Sequence, residues 1–370
     1  MHGRSTSIFR VYFQANLSYR QFSVQTRRKK NVPAFACDKV KDMQLEIAAQ
    51  FVSDVVPRSP NLAESDSQFT ANLQLMAKYY FEQGGKMFRP TVALVMAKAC
   101  NSSLECGSDD VSLNQYKIGM ISEMIHTASL VHDDVIDGAD TRRGSASVNA
   151  VWGNKMAVLV GDYILARATQ VLCSIGRPNV ISVMASIIED LVLGEFMQMT
   201  AKADSSEDLL SNYMEKTFKK TASLFANTCK SAAILAEGNN ELQLRAYEYG
   251  RHLGLAFQLI DDLLDFVSSA ENMGKPVATD LKLGLSTAPV IYASYQYPEL
   301  YTLMTRKFSM PGDPDLARKI VLSSNGLERT RALAEHHVQE AVRLAEMFPN
   351  VDGVADVLAE FAVSQLDRQS

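Results

Sequence analysis

The stretch His126-Thr127-Ala128-Ser129-Leu130-Val131-His132-Asp133-Asp134-Val135-Ile136-Asp137 sets three carboxylates just beyond a mostly apolar run, Met120 to Val131, and the reading of the chain turns on it. Its counterpart, Asp261-Asp262-Leu263-Leu264-Asp265, follows the apolar run Leu253 to Ile260. In each Asp-Asp-x-x-Asp the first and last aspartates are four apart, so on a helix they share a face about one turn apart. Like charges at that spacing repel, and helices near a core tolerate them poorly without a partner. A hard divalent cation is such a partner; magnesium takes carboxylate oxygens, keeps several waters and binds phosphates. Two such stretches suggest two acidic walls with a metal-bound polyphosphate between them. One motif alone is equally well a solvated helix face, but apolar flanks on both favour a functional pair. A calcium loop is disfavoured, because its glycine and alternating ligands are missing.

The 370 residues are 47% hydrophobic and 21% charged, enough for one large core or two domains. No run of about eighteen consecutive apolar residues is present, so no transmembrane helix is expected. A net charge of -5 argues against a nucleic-acid partner. Cys37, Cys100, Cys106, Cys173 and Cys229 are odd in number and scattered, which fits a reducing compartment and offers no zinc site.

Residues 1–37 differ in kind. They carry Arg4, Arg10, Arg20, Arg27, Arg28, Lys29 and Lys30 and no acid, the pattern of a mitochondrial or plastid transit peptide. No apolar core of a secretory signal is present, and a disordered basic arm is the plainer alternative. The folded domain is expected to be 38–370.

Apolar periodicity is helical throughout, with no long period-2 pattern. Helices are expected at about Asp38–Val55, through Leu73 to Tyr80 as far as Gly84-Gly85, and at 91–100. Further helices are expected from about Val111 to Asp137, Met156 to Ser174, Val180 to Met199, Ser205 to Ala236 and Leu242 to Phe266. Helical segments with proline turns then continue from Thr287 to Gln369. The fold class is therefore all-α, around a central cavity between the two aspartate helices.

Cations cluster at the breaks. Lys86 and Arg89 follow Gly84-Gly85, where lysine meets phosphate as a point charge and arginine as a fork. A helix cap and restart at Pro90 explains the same residues structurally. Arg142 and Arg143 stand just beyond Asp137, either as phosphate ligands or in simple ion pairs with the acids. His126 is two turns before Asp133 on the same face, whereas His132 points elsewhere and reads as a hydrogen-bonded core residue. Lys220, directly before the small apolar stretch Thr221-Ala222-Ser223-Leu224, is a candidate inward phosphate contact, and Gly274-Lys275-Pro276 a phosphate-binding flap.

Together these stretches resemble the trans-isoprenyl diphosphate synthases, the head-to-tail prenyl chain elongators, over about 38–370. The landmarks occur in the family's order: Gly84 to Pro90, the first Asp-Asp-x-x-Asp, Arg142-Arg143-Gly144, Gly161-Asp162, Lys220-Thr221, Phe257-Gln258 with the second motif, and Gly274-Lys275-Pro276. The resemblance implies that Asp133, Asp134, Asp137, Asp261, Asp262 and Asp265 hold magnesium, three ions with substrate bound, on an allylic diphosphate. It implies Arg142, Lys220, Thr221, Gln258 and Lys275 as that diphosphate's contacts, and Lys86, Arg89, His126 and Arg143 as the pocket for isopentenyl diphosphate. Met87 and Leu285 depart from the family, standing where many members carry basic residues. A regulatory or non-catalytic subunit and a terpene cyclase are the alternatives. Intact aspartate motifs weigh against the first, and a second diphosphate pocket against the other.

The same resemblance implies a farnesyl or geranylgeranyl primer and a ubiquinone side chain as the product's use. It implies a divergent second subunit in a heterotetramer, with a homodimer as the alternative, and peripheral contact with the mitochondrial inner membrane. Short-chain members place a bulky aromatic four or five positions before the first aspartate. Here Ser129 and Ala128 stand there, leaving the floor open to growth until a deeper obstruction, at roughly forty to fifty carbons of buried apolar chain.

Overall fold

Met120, Ile121, Met124, Ile125, Ala128 and Val131 recur at intervals of one, three and four, the spacing that a helix gathers onto one flank. All are buried, and the segment that carries them is helical throughout.

The computed structural model describes residues 36, 39, 43, 46 and 47, then 64–82, 87–104, 110–142, 144–200, 209–267 and 278–368, all within one unit, Pro33–Ser370. Most of the expected leader 1–37 and first helix 38–55 lies outside these residues, as do Lys86, Arg143 and Lys275. Ala36, inside the expected leader, is helical and buried, as are Met43 and Ile47.

In chain order the helices are α1 (Glu64–Glu82), α2 (Phe88–Asn101) and α3 (Leu113–Ile136). A two-residue hairpin follows, β1 (Thr141–Arg142) pairing antiparallel with β2 (Ser145–Ala146). Next come α4 (Val148–Trp152), α5 (Asn154–Cys173), α6 (Pro178–Thr200) and α7 (Leu209–Thr217). A π turn, Phe218–Ala222, joins α7 to α8 (Ser223–Leu235), which precedes α9 (Asn240–Val267). The rest is α10 (Thr279–Lys282), α11 (Ala288–Ser294), α12 (Glu299–Thr305), α13 (Asp313–Ser323), α14 (Gly326–Ala345) and α15 (Val354–Val363). Among the described residues the hairpin is the sole strand pairing, so the all-α expectation holds.

α3 starts on a capping box: Ser112 Oγ accepts from the Gln115 amide at 3.2 Å, and Gln115 Oε1 accepts from the Ser112 amide at 2.9 Å. It stops at Gly138, whose φ of +63° turns the chain toward the hairpin. Its buried flank packs along α5 and also meets α2 and α8. Fully burying side chains such as Ile121 and Met124 contributes about 1.5–3 kcal/mol each. α5 is long and apolar enough to cross a membrane, yet it packs along α3 and buries Val160 and Ile164, as a core helix does.

α8 packs against both aspartate helices. It contacts α3 on one side and packs extensively on α9, which in turn packs on α14. The contact between α9 and the start of α8 is close because Gly254 has no side chain; a Cβ there would lie 2.6 Å from Ala222 Cα. The start of α8, with the π turn before it, is thereby held beside both motifs.

Candidate active site

Helical geometry divides the first motif between two environments. Asp133 and Asp137 are half-buried, whereas Asp134 is fully buried. Oδ1 of Asp134 accepts from Arg142 Nε at 2.9 Å and Nη2 at 2.5 Å, and Oδ2 accepts from the Tyr80 hydroxyl. The hairpin returns Arg142 to α3, braced by Ser147 Oγ and Asn149 Nδ2 donating to the Ala139 carbonyl at 2.7 and 3.0 Å. Arg142 thus forms an ion pair with an acid of the first motif.

Burial pushes the Asp133 carboxyl up to about 6; Lys220 opposes the rise, and Glu195 and Asp137 add to it. Asp137 is raised for the same first cause. Lys220, on the π turn, donates to Glu195 Oε2 at 2.5 Å. Burial works against the Lys220 charge, but Asp133 and Glu195 outweigh it and raise its pKa.

The second motif divides in the same way. Asp262 is 3% exposed and accepts from the Tyr213 hydroxyl at 2.5 Å and from Gln258 Nε2 at 2.9 Å. Gln258 Oε1 accepts from Thr221 Oγ1 at 2.8 Å, so one relay joins the π turn to α9. Asp265 accepts the backbone amides of Thr279 and Asp280 at 3.0 and 3.1 Å, pinning the start of α10. Asp261 pairs with Arg368 at 2.6 Å, and the Arg368 guanidinium lies 4.1 Å from the centre of the Phe257 ring. Asp280 is raised by burial and by its neighbours Asp262 and Asp265.

The Arg89 guanidinium lies over Phe225 and Phe257, at 4.9 and 5.7 Å from the ring centres. His126 is half-buried, and its carbonyl accepts from Ser129 Oγ at 2.8 Å. His132 faces α5, 3.2 Å from the Val158 carbonyl, in keeping with a hydrogen-bonded structural role. Ala128 is sealed in the core cluster, while Ser129 keeps some exposure.

Among the described residues no three acidic, histidine or cysteine side chains already converge on one metal position. The donors still suit a hard cation. Asp133 and Asp137 offer oxygens on one face, and burial raises both pKa values further than the nearby Lys220 and Arg142 can offset. Tyr80, Tyr213 and Arg368 are site residues that no pattern in the sequence marks, and Glu195 is a further site residue. A polar residue directly after Gly194 in apolar α6 was the one available signal, for Glu195.

The polyprenyl synthetase family pattern matches residues 70–319. The chain is 50% identical over 274 residues to the human all trans-polyprenyl-diphosphate synthase PDSS1, covering 74% of this chain and 66% of that protein. It is 44% identical over 287 residues to the mitochondrial solanesyl-diphosphate synthase 1 of Oryza sativa subsp. japonica, covering 75% and 66%. The matched part thus spans about two thirds of these relatives' length. The crystal structure of a polyprenyl synthase from Caulobacter crescentus CB15, complexed with calcium and isoprenyl diphosphate, superposes with a TM-score of 0.76 at 27% identity, covering 93% of this chain and 100% of that one.

Proposed function

The chain belongs to the polyprenyl synthetase family, and we propose that it condenses isopentenyl diphosphate head-to-tail onto a farnesyl or geranylgeranyl diphosphate primer. The product is a long all-trans-polyprenyl diphosphate, decaprenyl favoured, for the ubiquinone side chain. The observation that carries this reading is the π turn, whose Lys220 pairs beside the first motif and whose Thr221 is relayed through Gln258 to the second.

When bound, divalent cations, magnesium on this reading and three with substrate, neutralise the leaving diphosphate as Lewis acids. Asp133, Asp137, Asp261 and Asp265 would supply their carboxylate ligands, with the buried Asp134 and Asp262 holding each motif in place behind them. Lys220 adds a fixed positive charge beside the leaving group, and Thr221 and Gln258 orient it. The allylic C–O bond breaks with its electron pair leaving on the diphosphate. The alkene of isopentenyl diphosphate, held by Arg89, His126, Lys86 and Arg143, forms the new C–C bond with its π pair. A proton then leaves to the departing diphosphate. Apolar walls from α3 and α8 exclude water from the allylic cation, and holding both substrates together supplies much of the acceleration.

The arginine-rich first 37 residues and the mitochondrial relative support a mitochondrial site, with 38–370 as the catalytic domain. α6 exposes Val192, Leu193, Phe196 and Met199 along one face, a surface suited to a divergent second subunit. The test is incubation with labelled isopentenyl diphosphate, farnesyl diphosphate and magnesium, with and without such a subunit. Metal-dependent incorporation into a long prenyl chain is expected. A hydrocarbon formed from the allylic diphosphate alone, or no incorporation under either condition, would overturn the reading.

A further inference from the structure

The second aspartate of each motif is anchored by the same device. One oxygen of Asp134 takes the hydroxyl of Tyr80 from α1, and one oxygen of Asp262 takes the hydroxyl of Tyr213 from α7. The other oxygen takes a nitrogen donor, Arg142 on Asp134 and Gln258 on Asp262. Both tyrosines are almost completely buried, at 1% and 4% exposure. The flanking sequences, Tyr79-Tyr80-Phe81 and Asn212-Tyr213-Met214, share nothing beyond the tyrosine.

We infer that Tyr80 and Tyr213 are positioning residues, each fixing a buried aspartate so that the neighbouring carboxylates of its motif face the cation; this rests on the reading of α3 and α9 as metal-bearing walls. Successive helical residues point about 100° apart, while the first and last aspartates of a motif nearly coincide in direction. Pinning the second aspartate inward therefore sets the roll of the helix for the other two. A phenol suits the task because it donates a hydrogen bond without adding charge. Asp262 is held by two neutral donors, which add no positive charge to its wall. At Asp134 the phenol occupies Oδ2 and confines Arg142 to Oδ1, where the guanidinium could otherwise grip both oxygens.

Tyr249 provides the internal control. It is buried on α9 and donates to the Leu358 carbonyl at 2.8 Å, away from either motif. The test compares the full chain with Tyr80→Phe, Tyr213→Phe and Tyr249→Phe, with circular dichroism confirming each fold. Manganese binding in the presence of inorganic pyrophosphate is read by electron paramagnetic resonance, beside the magnesium concentration for half-maximal turnover. Tyr80→Phe and Tyr213→Phe should each weaken manganese binding about ten-fold or more, leaving the KM for isopentenyl diphosphate within about two-fold. Tyr249→Phe should lower the melting temperature without changing manganese binding. Either motif variant tests the inference independently if the other fails to fold. Equal binding in all four proteins, or equal weakening in Tyr249→Phe, would overturn the inference alone. No binding by the unmodified chain would overturn both it and the functional reading.

Discussion

Asp133 carries a penalty that a bound cation would relieve. Its folded carboxyl keeps its proton to about pH 6, while the unfolded chain releases it near 3.8. Between those values the folded state binds more protons, so stability falls as pH rises through the window. Above it the metal-free protein bears a penalty of about 2 kcal/mol after solvent screening. Asp133→Asn should therefore raise the metal-free melting temperature at pH 8, leave it unchanged at pH 3, and cut metal-dependent turnover at least about 100-fold. Calorimetry showing the variant destabilised at pH 8 would contradict this account. The aspartates and Lys220 were legible because charge inside or beside apolar runs is anomalous, whereas Thr221 and Gln258 were marked only by the family resemblance. Tyr80 and Tyr213 were not, because a tyrosine on an apolar helical face reads as core, and their carboxylate partners lie 54 and 49 residues away.

Helices were legible as elements because period 3.6 persists over many turns; α3 begins at Leu113, two residues after the expected start. The hairpin was not, since two residues per strand show no alternation. Nor was the π turn, because one extra residue in a turn leaves no mark in composition. That turn aims Lys220 and Thr221, and it does so against Gly194 on α6. A Cβ on Gly194 would lie 2.9 Å from the Lys220 amide nitrogen and 3.2 Å from the Cβ atoms of Lys219 and Lys220. Gly194→Ala should force α6 and the turn apart, at a cost of about 1–3 kcal/mol. The Lys220–Glu195 pair should loosen with them, lowering kcat about ten-fold. A variant with reduced melting temperature and unchanged kcat would separate the turn's packing from its catalytic placement.

At the scale of the whole molecule, the proposed elongation requires that the product be housed as it grows. Each isoprene unit adds apolar surface whose burial is favourable by about 0.8 kcal/mol per CH2-sized group, so growth stops where the wall closes. Ser129 stands one turn before Asp133 on nearly the same face of α3 and is half-buried, so an aromatic ring there has room to project along the path of the chain. Ala128 is fully buried in the core cluster with Ile125, Val131 and Ile164, so a ring there must displace packed neighbours. Ser129→Phe should therefore shift products sharply to short chains while keeping the first condensation and the melting temperature. Ala128→Phe should cost about 1–3 kcal/mol of stability whatever it does to length. Chromatography of the dephosphorylated products, with melting curves on the same samples, distinguishes the two. An active Ser129→Phe protein with an unchanged product distribution would place the floor of the channel elsewhere.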